Sequence, residues 1–249
     1  MFEPFPTPKD IREATELQRT LRDKVILEGD LSRVHKFAAL DASHPTKFSK
    51  VQGFSVAAAV LWDKDANKML EVATASVDEI TLFPYVPGFL SFRESPSYIA
   101  ALANLSQPPE LLLVDGQGVA HPRGLGIASH LGVHLDIPSI GVAKTLLYGK
   151  PDGELGEKAG STVKLMSRTG QVGWVLRSKD KVQPLYVSPG HRVSMEDALE
   201  FVRSLLGKVR LPEPLGQAHH AAGEARRSSG QSNNSQLNTS QSSQPRLLE

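Results

Sequence analysis

The sequence predicts an α/β protein with a mixed central β-sheet flanked by helices, and three observations carry that reading. Three consecutive strand-like runs occupy residues 36–43, 53–62 and 68–77, with KVQG and DKDANK supplying turn residues between them. Past residue 95, helical and strand patterns alternate, which is the signature of an α/β layer. A chain of 249 residues, 40% hydrophobic and 22% charged, is long enough to build one core of ordinary density.

Taken in order, residues 7–27 read as an amphipathic helix, with Thr7 as N-cap and Pro8 at the first helical position. Ile11, Ala14, Leu17, Leu21 and Val25 follow at helical spacing. The next three runs read as an antiparallel meander, and GFSVAAAVLW is apolar enough for a strand buried on both faces. PSYIAALANL (96–105) reads as a helix started by Pro96. PELLLVDGQG closes a short aliphatic strand on Asp-Gly, GLGIASHLGVHL reads as a helix, and IPSIGVAK as a second buried strand. Weaker strands fall at 161–167, 171–178 and 184–188, and a capped helix runs from Ser194 to about Leu206. From Ser228 to Gln244 every residue but Gly230, Leu237 and Thr239 is Ser, Asn or Gln, a composition that cannot bury enough apolar surface to order itself. Residues 1–222 are therefore expected to form the folded domain and 223–249 a disordered tail.

Composition narrows the function. The formal charge of +1 announces no global polyanion affinity, so any nucleic-acid site is local. The absence of cysteine excludes disulfides and thiolate metal sites. A metal would be held by Asp, Glu or His, which suits hard Mg²⁺- or Mn²⁺-type ions. The N-terminus lacks a signal pattern and the longest apolar run, Phe54 to Trp62, is far short of a membrane span, so a cytoplasmic protein is expected.

Two aliphatic strands end in an aspartate, Asp41 in FAALDAS and Asp115 in LLLVDGQG. One such residue reads as a turn or helix cap. Two of them in an α/β pattern bring both carboxylates to one sheet edge if the strands are neighbours. Glu94, closing the aromatic and proline-rich ITLFPYVPGFLSFRE, is a candidate third. Crowded carboxylates repel without a cation, and together they form an oxygen-ligand site able to act on a phosphodiester. His121 and Arg123 in the glycine-rich GQGVAHPRGLG are candidate phosphate or metal contacts or solvated loop residues, and Lys144, at the end of a buried strand, suits a phosphate as a point charge or is an ordinary surface lysine.

DAS at 41–43, FPYVPGFLSFRE at 83–94, VDGQGVAHPRGLGIASHLG at 114–132, IPSIGVAK at 137–144 and VSPGH at 187–191 together resemble endonuclease V, a family of DNA-repair nucleases that recognise deaminated bases, chiefly deoxyinosine. The resemblance runs from about residue 8 to 220 and implies a ribonuclease H-like fold. It also implies a catalytic, metal-binding cluster of Asp41, Glu94 and Asp115 with Mg²⁺, for which Mn²⁺ substitutes. His219 matches a histidine near the metal, although His220 follows at once, and Lys144 matches a contact to the phosphate near the scissile bond. Pro84, Tyr85, Val86 and Pro87 match a wedge that holds the DNA strands apart beside the lesion. Leu90, Gly116, Gly118, Gly126, Ile127 and Leu147 match the pocket for the flipped base, where glycine N–H groups are expected to read the base. The implied cut lies at the second phosphodiester 3′ to the lesion, leaving 3′-hydroxyl and 5′-phosphate ends. Deaminated DNA is the expected partner, inosine-containing RNA the alternative, and a monomer the expected state. The His44-Pro45 pair after DAS departs from the family pattern, and His191 is expected to be a structural histidine.

Overall fold

The computed structural model describes residues 4–44, 54–78 and 83–240, with backbone alone for Phe54 and residues 229–240. β1 (Lys36–Ser43), β2 (Phe54–Asp63) and β3 (Lys68–Asp78) form the expected antiparallel meander, in which Leu40 faces Ala59 and Ala59 faces Ala73. Every described side chain of β2 from Ser55 to Trp62 is buried, as its unbroken apolar run predicts. β4 (Leu112–Asp115) and β5 (Ser139–Ala143) extend the sheet in parallel beside β1. The short β6 (Lys150–Pro151), then β7 (Thr162–Ser167), β8 (Gly170–Leu176) and β9 (Leu185–His191), complete it through antiparallel pairings. Among the described residues the strand order is β3-β2-β1-β4-β5-β9-β8-β7-β6.

Strand alternation divides the core between the two faces. Phe37, Ala39, Leu111, Leu113, Ile140 and Val142 pack with Ala198, Leu199, Phe201 and Val202 of α4 (Met195–Ser204) and with Leu215 and Ala218 of α5 (Glu213–Ser240). Their neighbours Ala38, Leu40, Leu112 and Val114 face the other way. They meet Ala14 of α1 (Ile11–Arg22), Phe92, Tyr98 and Ala101 of α2 (Leu90–Ala103), and Ile127 and Leu131 of α3 (Ile127–Leu135). α4 carries the expected Ser194 cap, whose hydroxyl accepts from the Asp197 N–H. No helix among the described residues is long and apolar enough to cross a membrane.

Three helices depart from the sequence reading. α1 is capped by Asp10, which accepts from the Glu13 N–H, rather than by Thr7, and it ends at Arg22. α2 begins at Leu90, six residues before Pro96, which lies inside it. An interior proline costs about 3 kcal/mol. Burying Phe92, Tyr98 and Leu102 returns roughly 1.5–3 kcal/mol for each large side chain, so packing outweighs the local rule. α5 was not foreseen; it starts after Pro212, and the expected boundary at 222/223 falls inside it. The KVQG turn and residues 241–249 lie outside the described residues.

Candidate active site

The parallel strands deliver three charged residues to one edge of the sheet. Leu40 pairs with Val114 and Val114 with Gly141, so Asp41 and Asp115 stand one step further along, and Lys144 follows the end of β5. Parity with Phe37 and Leu113 turns both carboxylates toward α5, from which His219 reaches Asp41, Nδ1 to Oδ2 2.7 Å. Lys144 Nζ pairs closely with Asp115 Oδ2 and lies 3.7 Å from Asp41 Oδ2. Burial and the Asp41 charge push Asp115 up to about 6, against the pull of Lys144. Burial works against the Lys144 ammonium, but Asp115 and Asp41 outweigh it and its pKa rises. Asp41, Asp115 and His219 bring ligand atoms within 4.8 Å of one another, a set that could hold a metal ion. His220 points elsewhere and pairs with Glu224 at 3.4 Å.

Glu94 arrives from the opposite face, on α2, and is buried at 7% exposure. It lines the same cavity as Asp41, Asp115 and Lys144 but stands outside that ligand trio. Both of its oxygens are held by protein donors: His44 Nε2 reaches Oε1 at 2.6 Å, and the Tyr98 hydroxyl donates to Oε2 at 3.2 Å. Burial and the nearby carboxylates push the Tyr98 phenol well up, so it stays a donor.

The cavity, about 510 Å³, runs from these acids to the segment after Phe83. Tyr85, Val86, Pro87, Leu90, Gly116, Gly126, Ile127 and Leu147 all line it, and Tyr85 is 71% exposed at its rim. Pro84, Gly118, Arg123 and His219 are not among the lining residues. Gln117, which the sequence reading did not single out, is: its Nε2 donates to the Thr145 carbonyl at 3.0 Å, and its buried Oε1 has no hydrogen-bond partner among the described residues.

His121 and Arg123 are engaged inside the protein rather than turned out toward solvent. Gly88, whose φ of +81° suits glycine, presents its carbonyl to three donors: Gln18 Nε2 at 3.0 Å, His121 Nε2 at 3.1 Å and Arg123 Nη2. Arg123 Nε also donates to Gln18 Oε1, and the guanidinium lies 4.1 Å over the Phe89 ring. Burial, then the Arg123 charge, lowers His121 to about 4. It is therefore neutral, with Nδ1 accepting the Arg123 N–H at 3.2 Å. Gln18 was missed by sequence reasoning; its signal was a polar residue one turn after Ala14 on the buried face of α1.

The glycines differ from expectation in how they act. The Gly116 N–H donates to Val142, the Gly118 N–H to the Ser188 hydroxyl and the Gly126 N–H to Gly118, so none of the three is left for a ligand. Their value is closeness. A Cβ at Gly118 would collide with the Pro189 carbonyl, one at Gly126 with the Gln117 carbonyl, and one at Gly116 with Ile127. Gly141, also overlooked, sits where a Cβ would strike the Gly118 nitrogen, and a glycine inside an otherwise aliphatic strand is the usual sign of such an approach. His191 is structural: it is buried, accepting the Ile26 N–H and meeting Asp136.

A mixed sheet of this order, with acidic groups and a lysine gathered at the ends of its central parallel strands, defines a ribonuclease H-like nuclease. A family model described as endonuclease V matches residues 19–220. The endonuclease V of Thermus thermophilus is 58% identical over 223 residues, covering 89% of this chain and 96% of that protein. The crystal structure of endonuclease V from Streptomyces avermitilis superposes with a TM-score of 0.82 at 36% identity, covering 92% of this chain and all of that one. That of Ciona intestinalis, solved with a 23mer DNA containing an inosine followed by a riboadenosine, gives 0.76 at 27% identity, covering 90% and 99%. The chain belongs to the endonuclease V family of nucleases.

Proposed function

We propose that this protein is a Mg²⁺-dependent DNA repair endonuclease that recognises deaminated bases, chiefly deoxyinosine. It hydrolyses the second phosphodiester bond 3′ to the lesion and leaves 3′-hydroxyl and 5′-phosphate ends. The observation that carries this reading is the single cavity shared by an Asp41–Asp115–Lys144 edge and an exposed Tyr85 flanked by prolines. Family membership and the inosine-containing DNA bound by the Ciona relative support the substrate class.

The donor set fits a hard divalent cation: two carboxylates, one imidazole and no thiol, with a proton affinity at Asp115 raised by burial and then by its carboxylate neighbour. Asp41, Asp115 and His219 would hold Mg²⁺, with Mn²⁺ as substitute, and the ion would supply positive charge against the developing charge of the phosphodiester. Glu94 acts beside them from the other face of the sheet. Lys144 orients the phosphate near the scissile bond. Pro84, Tyr85, Val86 and Pro87 form a stiff apolar insert that fills the gap left by a base drawn out of the stack, a move that costs a few kcal/mol. Leu90, Gly116, Gly126, Ile127 and Leu147 wall the base pocket, and Gly118 lets the wall close. The Gln117 Oε1 acceptor, oriented by Thr145, suits the N1–H of hypoxanthine, where adenine offers only a lone pair. His121 and Arg123 hold the wedge through Gly88 rather than touching phosphate. The catalytic domain runs through residue 222 into the continuing α5, where Arg226 Nε donates to Ser43 Oγ at 2.9 Å, and the enzyme works as a cytoplasmic monomer.

The test is a set of duplexes with one deoxyinosine, matched undamaged duplexes and an inosine-containing RNA, each incubated with Mg²⁺. Nicking 3′ to the lesion is expected, and failure to nick overturns the reading. The riboadenosine in the Ciona complex favours a second reading, cleavage of inosine-containing RNA. RNA cut faster than DNA would establish it, through a contact to the 2′-hydroxyl.

A further inference from the structure

His44 lies three residues after Asp41, where the chain leaves β1. The β1–β2 register pairs Ser43 with Val56, so the next step sets His44 opposite Ser55. The side chains follow that register: Ser55 Oγ lies 3.1 Å from His44 Nδ1, and His44 Nε2 lies 2.6 Å from Glu94 Oε1. A carboxylate only accepts, so Nε2 carries the proton toward Glu94 and, in the neutral ring, Nδ1 accepts the Ser55 hydroxyl.

A serine, a histidine and a glutamate in one chain of hydrogen bonds suggest a hydrolytic triad, and the geometry rejects it. Ser55 is fully buried and cannot reach a substrate. The order is also reversed, with the acid on Nε2 and the hydroxyl on Nδ1, so the serine orients the ring and the ring orients the acid. Tyr98 holds the second oxygen of Glu94 from α2 itself, whereas His44 is the donor supplied by the strand that carries Asp41. Glu94 and Asp41 approach the cavity from opposite faces of the sheet, and His44 is a direct tie between the β1 end and the α2 carboxylate.

We propose that His44 is a positioning residue that, backed by Ser55, sets the Glu94 carboxylate relative to the Asp41–Asp115 edge. This rests on the nuclease reading of the site. The experiment compares wild type with His44→Phe, His44→Gln and Ser55→Ala, measuring kcat and KM on the deoxyinosine duplex, Mn²⁺ binding, thermal melting, and the Glu94 side-chain position in crystals of each variant. His44→Phe should lower kcat by up to about 100-fold, the scale for misplacing a group at the reacting centre, with KM and the melting temperature unchanged. His44→Gln, which keeps an N–H near the Nε2 position, should recover most of the loss, and Ser55→Ala should fall between. In His44→Phe crystals Glu94 should turn from its wild-type rotamer. An unmoved Glu94, an unchanged kcat, or a loss accompanied by a lower melting temperature and not relieved by glutamine overturns the inference. Should wild type itself fail to nick the duplex, the nuclease reading falls, while the position of Glu94 in the crystals still decides the role of His44.

Discussion

Asp41 and Asp115 sit on neighbouring parallel strands, where ladder hydrogen bonds on either side set their spacing. Tyr85, lining the same cavity, rides on a segment whose placement depends on Gln18, His121 and Arg123 meeting a single carbonyl at Gly88. The first arrangement is built from backbone and survives most side-chain changes nearby. The second is built from side chains of α1 and of the loop after β4, so it can be loosened by a residue that never touches DNA. On the proposed function, an enzyme that cuts at one end of the cavity and inserts a loop beside a lesion at the other gains from holding the two parts by different means.

The largest effect is expected at the acidic edge. Asp115→Ala should bring nicking of a deoxyinosine duplex to background in single-turnover assays, while anisotropy shows lesion binding largely intact; lost binding would mean that this edge also holds the lesion. Next come the wedge and its clamp. Tyr85→Ala should weaken lesion binding by about tenfold or more, as for loss of a stacking aromatic worth roughly 1–3 kcal/mol. Arg123→Ala should do the same from beneath the loop, since a charge-assisted hydrogen bond contributes about 1.5–3 kcal/mol. Mn²⁺ binding should be untouched in both, and a weakened metal site in either would show that the two parts are not separately held.

Acid should loosen the clamp side of the molecule. Unfolded histidines titrate near 6.5, whereas in the fold burial lowers His121 to about 4 and His130 to about 3. Both values are depressed, so between these limits the unfolded chain binds more protons. Stability is complete above pH 6.5 and falls as pH drops toward 4 and then 3. The slope is roughly 1 kcal/mol per pH unit for each histidine, measurable by denaturant melts at pH 7 and 5. His130→Leu should flatten it, and an equally steep profile in that variant would refute the cause. The smallest effect is expected at His220→Ala, which removes only an exposed pair with Glu224 and should leave nicking within about twofold. His219→Ala should be far slower, and equal rates for the two variants would remove His219 from the edge.

Much of this was legible locally. Short strand-like runs bounded by turn residues marked β1 to β3, and an acid closing an apolar run marked Asp41 and Asp115, because both are short-range signals. The start of α2 was not legible, since Pro96 argues against a helix and only burial of Phe92 and Tyr98 overrules it. The clamp was illegible for another reason: Gln18 and Gly88 are 70 residues apart, and nothing near either names the other.

By itself the sequence marked the candidate residues: two aspartates closing apolar runs, a lysine after a buried strand, an aromatic and proline-rich insert, and no thiol. The tertiary structure decided how they are used. Strand order put Asp41 beside Asp115, sheet parity sent His219 to Asp41 and Glu94 to the opposite face, and packing turned the glycine N–H groups inward. Residue type is a local property, while facing and partnership come from pairings between segments far apart in the chain. Those are settled only when backbone hydrogen bonds and buried apolar surface are satisfied together.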